Sequence, residues 1–200
     1  PSKAFKRVFV HWAAEHFDWP DMGYDELFSV NKVLNEYDFA PLELLHFLLI
    51  ELKLGRHYKG QFKITKRGAE LLAHPQQLLM ELVPYYMMNM DHSSYSRSGD
   101  QAVGNWDVWL NVLNVETENG STEIQLYEVF YGKLRDAPMA WRATSSFYCC
   151  VLRPLCWAGL LTAHQAQGDK RLEAVYFKTL LWPVWLTLDT DNMVEPAQRH

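Results

Sequence analysis

The sequence predicts a mainly α-helical protein with small β-hairpins, arranged as two tandem winged-helix-like units. Three observations lead there. Apolar residues recur at helical spacing over most of the 200 residues. Two pairs of short strand-like runs flank turn sequences, Lys59-Gly60-Gln61 and Gln167-Gly168-Asp169-Lys170. A threonine follows the second run each time, Thr65 and Thr179, so the order helix, helix, apolar helix, hairpin, threonine occurs twice.

The elements follow in order. Residues 3–16 place Phe5, Val8, Phe9 and Trp12 on one helical stripe, and the stretch 18–23 breaks that helix. Residues 24–36 are again periodic, through Leu27, Phe28, Val30, Val33 and Leu34. Pro41 opens a strongly apolar helix, where its missing N–H would be unpaired in any case, and Gly55 is the expected C′ residue. The hairpin RHYKGQFKIT follows, and Thr65 caps the short helix KRGAELLAH, stopped before Pro75. Residues 76–90 form a further apolar helix. Residues 91–104, rich in Ser and Gly with little to bury, read as a linker or long loop. The first unit is thus 1–90 and the second 105–200. In the second, helices are expected at 106–115, from a Ser121 or Thr122 cap to Phe130, and at 142–158 with a bend at Pro154. A hairpin through His164 and Arg171 then leads to Thr179.

Composition narrows the function classes. Apolar residues make up 48% and charged residues 22%, a globular balance, and the net charge of −5 argues against a general polyanion binder. The longest apolar run, 42–54, is interrupted by Glu43, His46, Glu51 and Lys53, so no membrane span is expected. No signal peptide is read at the Pro-Ser-Lys start, and cytoplasm is the expected compartment. Cys149, Cys150 and Cys156, an odd clustered set, read as buried reduced thiols.

Part of the chain carries a resemblance. In residues 31–79, Ile64, Thr65, Gly68, Leu71 and Leu72 fit the pattern Leu-Thr-x-x-Gly-x-x-Leu-Leu after an apolar helix and a basic hairpin, with Ile in the first place. The segments LRPLCWAGLL (152–161) and FKTLLW (177–182) extend the likeness. In these residues the chain resembles uncharacterised bacterial and mobile-element proteins related to the plasmid ORF-3-like group. The resemblance implies tandem winged helices and supplies no catalytic residue.

A search for chemistry finds little. His11, Glu15 and His16 lack the HExxH spacing, and the cysteines have no CxxC or His cluster that would complete a zinc site. There is no GxSxG, Walker loop or GxGxxG. The eight histidines are scattered, none beside an evident nucleophile with an orienting acid. The expectation is a non-enzyme with no metal, no cofactor and no evident small-molecule substrate. The Tyr and Trp residues read as packing, with Met87, Met88 and Met90 as an adaptable surface or a filler.

Charge placement is more informative. Residues 53–67 hold six bases and no acid: Lys53, Arg56, Lys59, Lys63, Lys66 and Arg67, with His57 among them. Residues 98–132 hold six acids and no base, Asp107, Glu116, Glu118, Glu123 and Glu128 forming an expected acidic contact surface with Asp100 before them. Neither third helix suits base reading. The first offers Glu43, His46, Glu51 and Lys53, the second only Arg153, where Arg, Lys, Asn or Gln are needed. The sequence therefore points to a non-catalytic module that binds a protein partner or itself, with nucleic-acid contact through the basic first wing as the alternative.

Overall fold

A computed structural model of the chain describes residues 3–17, 19–20, 22–96, 99–134, 140–164 and 173–194. The fold is mainly helical with one two-stranded and one three-stranded antiparallel sheet. It separates into two compact units, Pro1–Met90 and Asp91–His200. Among the described residues no helix is long and apolar enough to cross a membrane.

In the first unit, α1 (Arg7–His16) and α2 (Tyr24–Val30) pack with α3 (Ala40–Glu51) around Val10, Ala13, Leu27, Leu34, Phe39 and Leu42. The expected stripe on α1 is not its buried side. Val8 is 84% exposed and Phe9 and Trp12 also face outward, while Val10, Ala13 and Ala14 turn inward. Small residues win the core side here because they let α1 approach its neighbours closely. The outer aromatics then stack on one another, Phe9 on Trp12 at 5.5 Å and Trp12 on His16 at 4.7 Å. The helix expected over 24–36 ends at Val30, and a short 3-10 turn, Glu36–Asp38, leads into α3. That turn is held by a capping box in which Asn35 and Asp38 exchange hydrogen bonds.

Strands β1 (Gly55–Tyr58) and β2 (Gln61–Ile64) form the expected hairpin, in the register Arg56↔Lys63 and His57↔Phe62. Lys59 and Gly60 make its two-residue turn, both at positive φ, the geometry that matches the strand twist. Gly55 is not the C′ residue of α3. It opens β1, and Lys53 takes the left-handed conformation at φ 58°. Thr65 caps α4 (Lys66–Leu72), accepting from the Gly68 N–H at 3.0 Å. A Cβ on Gly68 would lie 2.2 Å from the Leu54 carbonyl, so this place in the helix admits only glycine. The unit ends with α5 (Pro75–Asn89).

The described residues of the stretch 91–104 fall in the second unit. His92 and Ser93 are buried in a 3-10 turn, His92–Tyr95, and Asp100 pairs with Arg142 at 2.9 Å. Then come α6 (Trp106–Glu116), the strand β3 (Ser121–Thr122) and α7 (Glu123–Tyr131), capped by Thr122 through a capping box with Gln125. The helix expected over 142–158 is interrupted. α8 (Ala140–Phe147) passes through a π turn, Tyr148–Leu152, into α9 (Arg153–Trp157). Pro154 has no N–H to give and its ring crowds the carbonyl four residues earlier, so the ladder widens just before it. β4 (Leu161–His164) pairs with β5 (Val175–Lys178), and the tip of this hairpin, with Gln167 to Arg171, lies outside the described residues. β3 joins the other edge of β5, a pairing two residues long that periodicity does not announce. α10 (Trp182–Trp185) then buries Trp182, whose indole N–H donates to the buried Asn114 at 2.9 Å.

The two threonines close both hairpins in the same way. The N–H of Thr65 donates to the Leu54 carbonyl at 2.9 Å, and that of Thr179 to the Leu160 carbonyl at 3.0 Å. Each hydroxyl donates to the carbonyl of the left-handed residue just before: Thr65 to Lys53 at 2.8 Å, Thr179 to Gly159 at 2.6 Å. The repeat in element order is thus a repeat in hydrogen bonds.

Candidate functional site

The first hairpin has two unlike faces, because neighbours along a strand point to opposite sides. Arg56, Tyr58 and Lys63 share the outer face, and the turn residue Lys59 joins them. All four are exposed. The cationic groups of Arg56, Lys59 and Lys63 lie 5.6, 5.4 and 5.4 Å from the centre of the Tyr58 ring, within range of cation–π attraction. These three side chains, and Lys53, make no ion pair among the described residues. The other bases of the run are engaged. Arg67 pairs with Glu81 and donates to the Leu52 carbonyl, and Lys66 stands 3.8 Å from Glu70 one helical turn on.

The inner face carries His57 and Phe62 against α3. Here one of the scattered histidines meets an acid. His46, on the buried side of α3, bonds through Nδ1 to Oε1 of Glu36, and its Nε2 lies 3.0 Å from Nε2 of His57. The other carboxyl oxygen of Glu36 accepts the backbone N–H of Phe5. With Glu36 an acceptor at both oxygens, the network assigns the proton of His46 to Nδ1 and leaves Nε2 to accept from His57. Phe5 stacks on His46 at 4.0 Å and Phe62 meets it edge-on at 4.9 Å. Nearby Glu43 is held above the ordinary carboxylate value, first by burial and then by the charge of Glu36, with His46 opposing.

Beside this chain of groups a cavity of about 710 Å³ opens between α1, α3 and the hairpin. His46 and His57 form part of its wall. Among the described residues no group of three or more His, Cys, Asp or Glu is placed to hold a metal ion.

The acidic stretch of the second unit does not form the single surface expected of it. Glu123 is fully buried at the start of α7, where it accepts from the Tyr176 hydroxyl at 3.5 Å. A carboxylate there faces the positive end of the helix, which favours it inside. Glu118 pairs with Lys178, a base from β5. Asp107 is exposed and Glu116 and Glu128 are half-buried. The three cysteines are buried and outside any disulfide among the described residues, as expected.

Two groupings escaped the sequence reading. Tyr58 was legible in the alternation of GRHY and QFKI, which puts it on one face with Arg56 and Lys63. The Glu36–His46–His57 chain joins three elements and has no local signature.

Residues 1–77 match the family model of the Y4jL N-terminal domain, and residues 96–180 that of the y4jL C-terminal domain. The chain is 39% identical over 134 residues to the uncharacterized protein y4jL of Sinorhizobium fredii (strain NBRC 101917 / NGR234). That match covers 65% of this chain and 60% of the length of the relative. No solved structure matches the chain.

Proposed function

The chain carries the two domains of the uncharacterised bacterial Y4jL family, and from that premise we propose that it is a non-catalytic tandem winged-helix module that binds an acidic protein partner through its first unit. In the second unit, the chain order α6, β3, α7, α8–α9, β4, β5 with sheet order β3-β5-β4 supports the winged-helix reading. The shared threonine closure supports extending it to the first unit, and the Ile64-to-Leu72 pattern supports kinship with the plasmid ORF-3-like group. Three buried thiols outside any disulfide among the described residues suit a reducing compartment such as the cytoplasm.

One observation carries the choice of partner. The exposed residues of α3, the helix that would enter a major groove, are Glu43, Phe47, Ile50 and Glu51. Acids there repel phosphates, and exposed Phe and Ile suit a protein surface. The cationic hairpin then supplies charge complementarity to an acidic partner and speeds encounter. A second reading, sequence-tolerant contact with nucleic acid, is favoured by Tyr58 alone, since an exposed ring among three cations also suits base stacking beside phosphates.

The test uses the full chain and the double reversal Lys59→Glu, Lys63→Glu. Sedimentation velocity reads self-association and complex formation with an acidic polypeptide, poly-L-glutamate, at about 50 and 200 mM salt, and a mobility shift reads binding to a short duplex DNA. The expected result is salt-sensitive protein association that the reversal abolishes, with weak DNA binding at physiological salt. Steeply salt-dependent micromolar DNA binding, lost on reversal, would install the second reading. Association unchanged by the reversal would remove the hairpin from the function altogether.

A further inference from the structure

We propose that the cavity beneath the first hairpin is a binding site for a small carboxylate with an apolar body. The inference concerns the inner face of the hairpin and stands independently of what the outer face binds. A volume of about 710 Å³ falls in the range that small-molecule sites occupy. Its walls are apolar, with Leu45 and Leu49 from α3 facing Phe62 from β2. Such walls favour an apolar ligand body by removing it from water.

The polar side chains of the cavity fix the sign of the head group. Lys3, Lys6, His46 and His57 line it, and among the described residues no aspartate or glutamate does. Glu36, behind the two imidazoles, already accepts at both oxygens, from His46 and from the Phe5 N–H. It therefore steadies the two imidazoles from behind and offers nothing to a ligand. His57 uses Nε2 toward His46, which leaves Nδ1 as its uncommitted nitrogen. In the imidazolium form His57 donates from both nitrogens, to His46 and to an anion, and Glu36 balances its charge through His46. A carboxylate fits this arrangement, whereas a cationic head would meet two lysines.

Isothermal titration of the full chain distinguishes the two kinds of body, with decanoate as the chain form and 1-naphthoate as the ring form. Decan-1-ol is the control that keeps the tail and lacks the charge. Saturable binding of one or both carboxylates, tighter than the alcohol, is expected. His57→Gln should weaken the carboxylate about tenfold and leave the alcohol unchanged, the loss expected for one charge-assisted hydrogen bond. Leu45→Trp should abolish binding by filling the cavity. Ile64→Trp, on the inner face with Phe62 and 47% exposed at the edge of the same cavity, should also block it and does not depend on a core substitution folding. Absence of saturable binding by both carboxylates would overturn the proposal. So would equal affinity for the alcohol, or binding that survives Ile64→Trp unchanged.

Discussion

Replacing Glu36 by Gln keeps the size of the side chain and removes its ability to accept at both ends. The native carboxyl is 5% exposed and receives two hydrogen bonds, from the Phe5 N–H and from His46 Nδ1. The amide of Gln has one oxygen, so its NH₂ faces either the Phe5 N–H, donor against donor, or His46, which must then move its proton off Nδ1 and reverse its hydrogen bond with His57. Losing a charge-assisted hydrogen bond costs about 1.5–3 kcal/mol, and a buried donor left unpaired about 1–3 kcal/mol. Because the two overlap, the expected loss is about 3 kcal/mol, near the lower end for a broken buried pair. For a unit of this size that lowers the melting midpoint by about 12–24 °C. Thermal unfolding followed by circular dichroism, in wild type and Glu36→Gln, measures it. The paired replacement Glu36→Leu with His46→Leu is the discriminating control. It removes both polar partners together and should recover most of the loss, since an apolar pair of similar volume is often neutral or stabilising. A loss below about 0.5 kcal/mol for Glu36→Gln would place the substitution among ordinary surface changes and refute the reasoning. A double variant no more stable than the single would refute it too.

Two further outcomes follow from the closure and the thiols. Thr65→Val and Thr179→Val keep shape and lose the hydroxyl, so each should cost about 1 kcal/mol in urea denaturation. An unchanged Thr179→Val would end the equivalence of the two hairpins. Burial pushes the Cys150 thiol up, with a backbone hydrogen bond at Ala102 opposing, and Cys149 and Cys156 are also buried. All three should resist Ellman's reagent in the native protein at neutral pH and react in urea; rapid labelling of the folded chain would contradict their burial.

How much was legible in the sequence depended on whether the signal was local. Pro41, the Lys59-Gly60 turn and the threonine caps act within a few residues, and the elements they mark stand near where they were expected. The face of α1 was misread because Val8, Phe9 and Trp12 satisfy helical periodicity, yet the core of this unit takes Ala13 and Ala14 for close packing. Periodicity finds a stripe; which stripe is covered depends on the neighbours. Strand β3 is two residues long and exists only because β5 has a free edge beside it. Glu123 counted as surface charge until the helix start and Tyr176 enclosed it. In the same way His46 read as one more scattered histidine. Its meaning depends on Glu36, in the turn before its helix, and on His57, in the strand after it.

The bend after α3 and the bend after α9 are the same joint built from different residues. Gly159 turns the second at φ 74° without strain, while Lys53 turns the first at φ 58°. A side chain in the left-handed region costs about 1–2 kcal/mol. That cost is concentrated at the foot of the cationic hairpin, where Thr65 grips the Lys53 carbonyl. Glycine at this joint would relax the backbone and take a positive charge off the same surface. The two halves of the molecule thus resolve one geometric demand in opposite ways: the second is at ease and neutral at its joint, the first is under tension and charged.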